Sequence, residues 1–253
     1  MTAHPVLNLM VMLLLARPAS AHFMWVRASR ENAVVTFSEC PTKAGLAAFI
    51  NGVAARTRLA VATAPARVAT NVTLAEKRVS ILDGELRGSL PKSAAASPTS
   101  IEGSALWGLF TEMGPKTLLQ YWFSAPRVAE PNDWFFVDGM STNRLSLTLR
   151  PVCDQGAAAS QDDGDNATAK VVAVTRFDGV NVANHVVNLF DAAGEPAGNA
   201  TTADKGVVVL RLPRGKPVYA WSKHIEAASG TDPVSGKPYD RVAHYSSTSM
   251  QVC

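Results

Sequence analysis

The stretch that decides the fold contains five strand-like runs: KVVAVTRF (170–177), HVVNLF (185–190), GVVVLRL (206–212), PVYAWSKHI (217–225) and RVAHYSSTSMQV (241–252). β-branched and aromatic residues dominate these runs, as is typical of strands. Turn residues lie near the gaps between them: Asp178-Gly179, Ala193-Gly194, Arg214-Gly215 and Gly236. Because no helical crossovers separate the runs, they predict antiparallel rather than parallel strands.

The first half of the chain shows shorter runs of the same kind, at 23–26, 33–37, 57–62, 78–82, 105–110, 118–123 and 145–149. Only residues 43–50 favour a brief helix. Residues 154–168 (DQGAAASQDDGDNAT) are small and acidic and lack apolar periodicity, which is typical of an exposed linker. We therefore predict an all-β protein of two antiparallel β-sandwich domains, residues 22–153 and 169–253, with the linker at 154–168.

The N-terminus, residues 1–21, has the pattern of a cleaved signal peptide. An apolar run covers residues 6–15, interrupted only by Asn8, and Ala19-Ser20-Ala21 supplies a small-x-small cleavage site. Residues 1–5 contain no Lys or Arg, which departs from the usual positive start. The pattern predicts a secreted or extracytoplasmic protein, in the periplasm or at the cell surface. No later apolar run reaches the length of a spanning helix, so we expect no transmembrane segment in the mature form.

Composition narrows the function classes. The net charge of +3 over 253 residues is close to balanced and gives no electrostatic reason to expect nucleic-acid binding. The chain lacks Gly-x-Ser-x-Gly, His-Glu-x-x-His, Cys-x-x-Cys and phosphate-binding glycine motifs. These absences favour a non-enzymatic protein.

Export makes disulfides and glycosylation relevant. The three cysteines are Cys40, Cys153 and Cys253. Cys40 and Cys153 each follow a strand-like run, so our preferred bridge is Cys40–Cys153, which leaves Cys253 unpaired. The three glycosylation sequons begin at Asn71, Asn166 and Asn199 and predict a glycoprotein where the host glycosylates.

Cleavage after Ala21 makes His22 the first residue of the mature chain. Its free amine and its ring nitrogen can together chelate one ion, and such nitrogen pairs suit copper and nickel. His22 is therefore the first candidate metal ligand.

His224, Glu226 and His244 are further candidate metal ligands. His224 and Glu226 alternate on one face of a strand, opposite Tyr219, Trp221 and Ile225, which we assign to the core. This assignment predicts that His224 and Glu226 point outward and can bind a metal together. His244 alternates with Val242, Met250 and Val252 and is expected to face inward. The predicted register therefore opposes a His224–His244 pair, although a β-bulge could change it.

Several short motifs, in chain order, are similar to one family: HFMWV (22–26), VTFSE (35–39), LWGLF (106–110), LLQYW (118–122), TTADKG (201–206), GKPY (236–239) and HY (244–245). Together they resemble an exported domain of unknown function, the nickel-uptake-associated (NikM-like) periplasmic family. The resemblance implies an N-terminal β-sandwich and a C-terminal sandwich like prealbumin or the peptidase regulatory domain. It also implies export and a role with a transition metal, and no known catalytic residues.

Three functional hypotheses follow. The first is an exported, non-enzymatic protein that binds nickel or copper and supports metal uptake, with a membrane transporter or cell-surface component as partner. The second is a histidine-brace copper oxidase acting on polysaccharide, in which His22 needs a second histidine: His185, His224 or His244. The third is a structural or carbohydrate-binding β-sandwich protein without a metal.

Overall fold

The computed structural model describes residues 22–29, 31–63, 68–80, 83–92, 99–111, 114–127, 141–152 and 168–252. The predicted signal peptide (1–21), Cys153, Cys253, Asn166 and linker residues 154–167 lie outside the described residues. Thr168, the last residue of the predicted linker, is already part of a strand. The predictions for the residues outside this set stay predictions.

The described chain is built almost entirely of strands, so the predicted all-β class is confirmed. The strands are β1 (Phe23–Ala28), β2 (Asn32–Ser38), β3 (Gly45–Leu46), β4 (Thr57–Thr63), β5 (Val68–Asn71), β6 (Ala75–Arg78), β7 (Asp83–Ser89), β8 (Thr99–Phe110), β9 (Thr117–Arg127), β10 (Leu145–Val152), β11 (Thr168–Phe177), β12 (Val180–Asn181), β13 (Val186–Phe190), β14 (Pro196–Thr201), β15 (Val207–Pro213), β16 (Pro217–Glu226), β17 (Gly230–Thr231), β18 (Pro238–Tyr239) and β19 (Arg241–Gln251). The one described helix, α1 (Ala47–Val53), continues into a 3-10 turn (Ala54–Arg56). It begins later than the helix predicted at 43–50, and buries Ala47, Ile50 and Val53 at helical spacing.

One eight-stranded sheet runs through both halves of the chain, in the order β14-β13-β16-β19-β9-β8-β4-β5. Its neighbours are antiparallel except at the centre, where β19 pairs with β9 in parallel. Two separate sandwiches are therefore not confirmed, because strands from both predicted domains share this sheet. The parallel pair joins residues that are far apart in sequence, and such a long-range pairing leaves no trace in local periodicity.

A five-stranded sheet, β1-β2-β7-β3 with β6 on β7, covers one face of the central sheet. The buried core between them draws on β2, β4, β8 and β9 and includes Val35, Leu59, Ile101 and Phe123. β1 lies directly over β19, since the Ser247 hydroxyl donates to the Met24 carbonyl and the Ser249 hydroxyl donates to the Val26 carbonyl.

A four-stranded sheet of β10, β11, β12 and β15 covers the opposite face, over β13, β16 and β19. The core here is formed by residues such as Leu149, Val171, Val187, Ala220 and Met250. β10 belongs to the predicted N-terminal domain by its number, yet it pairs along its whole length with β11 of the C-terminal half. The described strands thus pair across the predicted domain division.

Cys40 is a free thiol in the structure, half-buried against Thr42 and the Gly194 carbonyl. The predicted Cys40–Cys153 bridge is accordingly not seen. Among the described residues, no helix is long and apolar enough to cross a membrane.

Candidate functional site

Three histidines lie side by side on one face of the central sheet, and we call them the histidine row (His185, His224 and His244). His224 in β16 and His244 in β19 are direct cross-strand partners. His185 immediately precedes β13, whose Val187 is opposite Ser222, so the same register places His185 opposite His224. The ring centroids are 5.1 Å apart for His185–His224 and 6.4 Å apart for His224–His244.

The histidine row corrects the prediction that His224 and His244 point in opposite directions. Residues directly opposite in a ladder face the same side, so both rings point toward the four-stranded sheet. The prediction failed because β16 is buried on both faces: Val218 and Ala220 pack on one side and Tyr219 on the other. Apolar alternation cannot identify the inward face of a strand that has no outward face.

Hydrogen bonds set the proton positions on His185 and His224. The Nδ1 of His185 lies 2.9 Å from the carbonyl oxygen of Ala183, which only accepts, so this Nδ1 carries the proton. The Nε2 of neutral His185 then accepts from the Nδ1 of His224, at 2.9 Å. This chain leaves a lone pair on the Nε2 of His224.

His244 is fully buried and both of its ring nitrogens are engaged. The indole N–H of Trp122 donates to Nδ1 at 3.2 Å, and Nε2 donates to the carboxylate of Glu226 at 2.9 Å. Burial lowers the pKa of His244, with Arg144 acting in the same direction and Glu226 acting against it. The hydrogen bond from Trp122 also favours the neutral form of His244, because a protonated Nδ1 could not accept it.

An ion-pair network of Arg144, Asp178 and Glu226 lies beside the histidine row. Arg144 donates to both oxygens of Asp178, at 2.8 and 2.7 Å, and to both oxygens of Glu226, at 3.2 and 3.1 Å. The hydrogen bonds from Arg144 are the main cause that lowers the pKa of Glu226 and of Asp178. One guanidinium therefore faces two carboxylates, which leaves a net negative charge beside the row.

Phe177 of β11 covers the row from the four-stranded sheet. Its ring centroid is 4.1 Å from that of His224 and 5.0 Å from that of His244, and the guanidinium of Arg144 lies 4.9 Å from the Phe177 centroid. Burial is the main cause that lowers the pKa of His224, followed by the neighbouring His185 and His244. The site thus favours the neutral form of His224 and of His244.

His22 lies on the other side of the central sheet. Its ring packs against Phe37 and Phe49, with centroids 5.5 and 5.2 Å away, and its Nε2 is 3.6 Å from a carboxylate oxygen of Glu39. These partners belong to the five-stranded sheet and α1, whereas His244 faces the four-stranded sheet. The structure brings His224, Glu226 and His244 together and does not bring His22 to them.

The fit of this site to a metal depends on which nitrogens are accessible. In the described part of the chain, no group of three or more His, Cys, Asp or Glu side chains is arranged to hold a metal ion. His244 has both nitrogens engaged. The Nε2 of His185 and the Nδ1 of His224 are also engaged, but with each other, and both belong to imidazoles, a ligand type that suits copper and nickel.

Sequence reasoning missed several members of the network. Arg144, Asp178 and Phe177 were not candidates, and His185 entered only as a partner for His22. The only usable signal was the Asp178-Gly179 turn: Asp178 has φ 49° and Gly179 has φ 80°, a left-handed pair that ends β11 and places the Asp178 carboxylate beside Arg144.

Comparisons with known proteins leave the family open. No family model and no curated protein matches this chain. A DUF4785 family protein from Legionella pneumophila is similar at 12% identity and a TM-score of 0.23, covering 83% of this chain and 51% of that one. The BSP domain of a biofilm-associated protein is similar at 14% identity and a TM-score of 0.21, covering 92% of this chain and 29% of that one.

This chain therefore spans about half the length of the first structure and under a third of the second. Likenesses at this level carry no functional information. The resemblance to the nickel-uptake-associated family finds no support in a family-model match, and it stays a proposal.

Proposed function

We propose that this protein is an exported, non-enzymatic protein that binds Cu(II) or Ni(II) through His185 and His224. The observation that carries the proposal is the 2.9 Å separation between the Nε2 of His185 and the Nδ1 of His224. Imidazole nitrogens are ligands that both metals favour. The sequence resemblance to a nickel-uptake-associated family agrees with this chemistry.

The nitrogen separation suits two ligands on one ion. A metal–imidazole bond is about 2.0 Å long, so two such bonds at a right angle place their nitrogens about 2.9 Å apart. In the metal-free protein a proton occupies the space between the same two atoms. Metal binding would replace this proton, and affinity would therefore fall as pH falls.

The surrounding charges favour a cation at this pair. Asp178 and Glu226 carry two negative charges against the single positive charge of Arg144. Both carboxylates act electrostatically on His224 in the direction that favours positive charge on its ring. His244 and Glu226 hold each other beside the pair, so in this proposal they position His224 and balance charge rather than bind the ion.

The biological role that fits such a site is metal handling outside the cytoplasm, with a membrane transporter or cell-surface component as partner. The chelate formed by the amine and ring of His22 is the alternative location for the metal. The histidine-brace oxidase gains no support, because His22 lies across the sheet from the other histidines. No specific observation favours a purely structural sandwich.

A titration of the protein processed to begin at His22 tests the proposal. Cu(II) and Ni(II) are added separately near about pH 7.5, where imidazole is largely neutral, and binding is followed by calorimetry and, for copper, by the nitrogen couplings in its electron paramagnetic resonance spectrum. His185→Asn and His224→Asn should each weaken binding about tenfold or more, since each removes one donor. His22→Asn should leave the affinity unchanged.

Two results overturn the proposal. Loss of binding in His22→Asn with normal binding in the other two variants moves the metal to the N-terminal chelate. Absence of binding in the wild-type protein removes the metal-binding function. Melting temperatures of all three variants verify that each is folded.

A further inference from the structure

A cavity of about 220 Å³ lies on the same face of the central sheet as the histidine row, but at the β5–β4–β8 end. The cross-strand register places Asn71, Ala60 and Glu102 in one line across these three strands. Residues 142 and 143, just before β10, form a wall. The cavity is separate from the proposed metal site.

The floor of the cavity is lined by small side chains. Ala60 and Ala62 of β4 and Ala69 of β5 alternate onto this face. These positions leave space that larger residues would fill. No aromatic side chain is among the described residues that line the cavity, so it offers no stacking platform for a sugar or an aromatic ring.

Glu102 lies at one side of this floor and is held in a fixed orientation. One carboxylate oxygen accepts from the Ser100 hydroxyl at 3.0 Å, and the other accepts from the backbone N–H of Thr142 at 3.0 Å. The Ser141 side chain also hydrogen-bonds to this carboxylate, so of about four lone-pair positions on the two oxygens one is left for a ligand. Burial is the main cause that raises the pKa of Glu102, and a cation beside it would restore the charged form.

Arg58 supplies the opposite charge. It lies two residues from Ala60 on β4 and opposite Ser104 of β8, so it faces the cavity on the same side as Glu102. Glu102 and Arg58 are thus offset along the sheet, with Ala60 next to both. This arrangement presents one negative and one positive group to the same cavity.

We propose that this cavity binds a small zwitterion, a free α-amino acid, with its ammonium group at Glu102 and its carboxylate at Arg58. The alanine floor contacts the α-carbon and a short side chain. A water molecule takes about 30 Å³ of liquid, so the volume admits a ligand of several heavy atoms, such as alanine or serine. Arginine recognises a carboxylate through two parallel hydrogen bonds, which adds orientation to charge.

Titration of the full mature chain with L-alanine and L-serine, followed by calorimetry and by chemical-shift changes of backbone amides, tests the proposal. Propionate and ethylamine each carry only one of the two charges and should bind about tenfold more weakly or not at all. Glu102→Gln and Arg58→Gln should each lower alanine affinity by about tenfold or more. Glu195→Gln and Arg211→Gln, which neutralise exposed charges outside the cavity, should leave it unchanged.

Propionate and ethylamine, which each carry one of the two charges of an amino acid, distinguish this proposal from its alternatives. Propionate binding as tightly as alanine would reduce the site to an anion site at Arg58, and sorbitol binding with no alanine binding would make it a polyol site; either result overturns the proposal. Absence of any shift at the cavity also overturns it. Arg58 is exposed, so Arg58→Gln remains informative even where Glu102→Gln loses stability.

Discussion

His224 and His244 are direct cross-strand partners in β16 and β19, and both rings face the four-stranded sheet. The pairing brings together two histidines of lowered pKa, and it places the carboxylate of Glu226 within 2.9 Å of His244. The relationship links the strand register to the protonation of the site, and the first two predictions follow from it.

The stability of the protein should fall when the pH drops from about 7.5 to about 5. The folded state lowers the pKa of His224 and His244, so below the unfolded value of about 6.5 the unfolded chain binds more protons than the folded chain. Stability is therefore fully present above that value and is lost as pH falls through it. Urea denaturation at several pH values measures this loss.

Two histidine variants serve as controls for the pH effect. His22→Asn should keep the full pH dependence, because His22 lies outside the row. His244→Asn should reduce it, since one of the two groups is gone. Lowered pKa values of Asp178 and Glu226 contribute only at more acid pH, below their ordinary values of 3.8 and 4.5. A flat stability profile between about pH 7.5 and 5 would contradict the prediction.

Trp122→Phe should raise the pKa of His244. The substitution removes the indole N–H that occupies Nδ1, which then becomes free to accept a proton. It should also destabilise the fold by about 1–3 kcal/mol, because a buried acceptor is left without a partner. NMR titration of the His244 ring measures the pKa directly. Trp221→Phe removes the same ring system on the other face of the sheet and should not move this pKa.

Arg144 and Asp178 should show energetic coupling. Their two hydrogen bonds join the ends of β10 and β11, but both side chains are partly exposed, so solvent screening keeps the coupling free energy small. A double-mutant cycle with Arg144→Gln and Asp178→Asn, read from urea denaturation, isolates this pairwise free energy. Strictly additive losses of stability would show that the pair contributes nothing.

Gly103→Ala should destabilise the protein, by about 1–3 kcal/mol. A Cβ atom at Gly103 would overlap the buried ring of Phe123 and the carbonyl oxygen of Arg58, and neither can move without disturbing β4 or β9. Gly52→Ala is the matched control, because a Cβ at Gly52 in α1 meets no neighbouring atom. The control should stabilise the helix by about 0.5–1 kcal/mol. Thermal unfolding of both variants gives the comparison.

Most strands could be predicted from residue pattern alone. β15 and β19 carry β-branched or alternating residues and were placed within a residue or two. β14 was not predicted. Five of its six residues are exposed, so its sequence shows no alternation of buried apolar and exposed polar residues. β10 was predicted as a strand of the N-terminal half, whereas it pairs with β11, which follows it in sequence.

The candidate site could be predicted only as a set of residue types. His224, Glu226 and His244 were chosen because imidazole and carboxylate groups bind metals, and the structure does place these three together. Arg144 could not be found in this way. It meets Glu226 only because β10 packs beside β16, and a lone arginine before a strand has no distinguishing pattern.

The amino-acid sequence by itself determined the all-β class, the local strand segments and the inventory of metal-binding side chains. These properties follow from side-chain periodicity and donor chemistry, which act over a few residues. Only the tertiary structure decided that the two halves share one sheet, that His22 lies across it from the histidine row, and that His224 faces the same side as His244. Each depends on pairing and layer contacts between residues far apart in the chain, which no local pattern encodes.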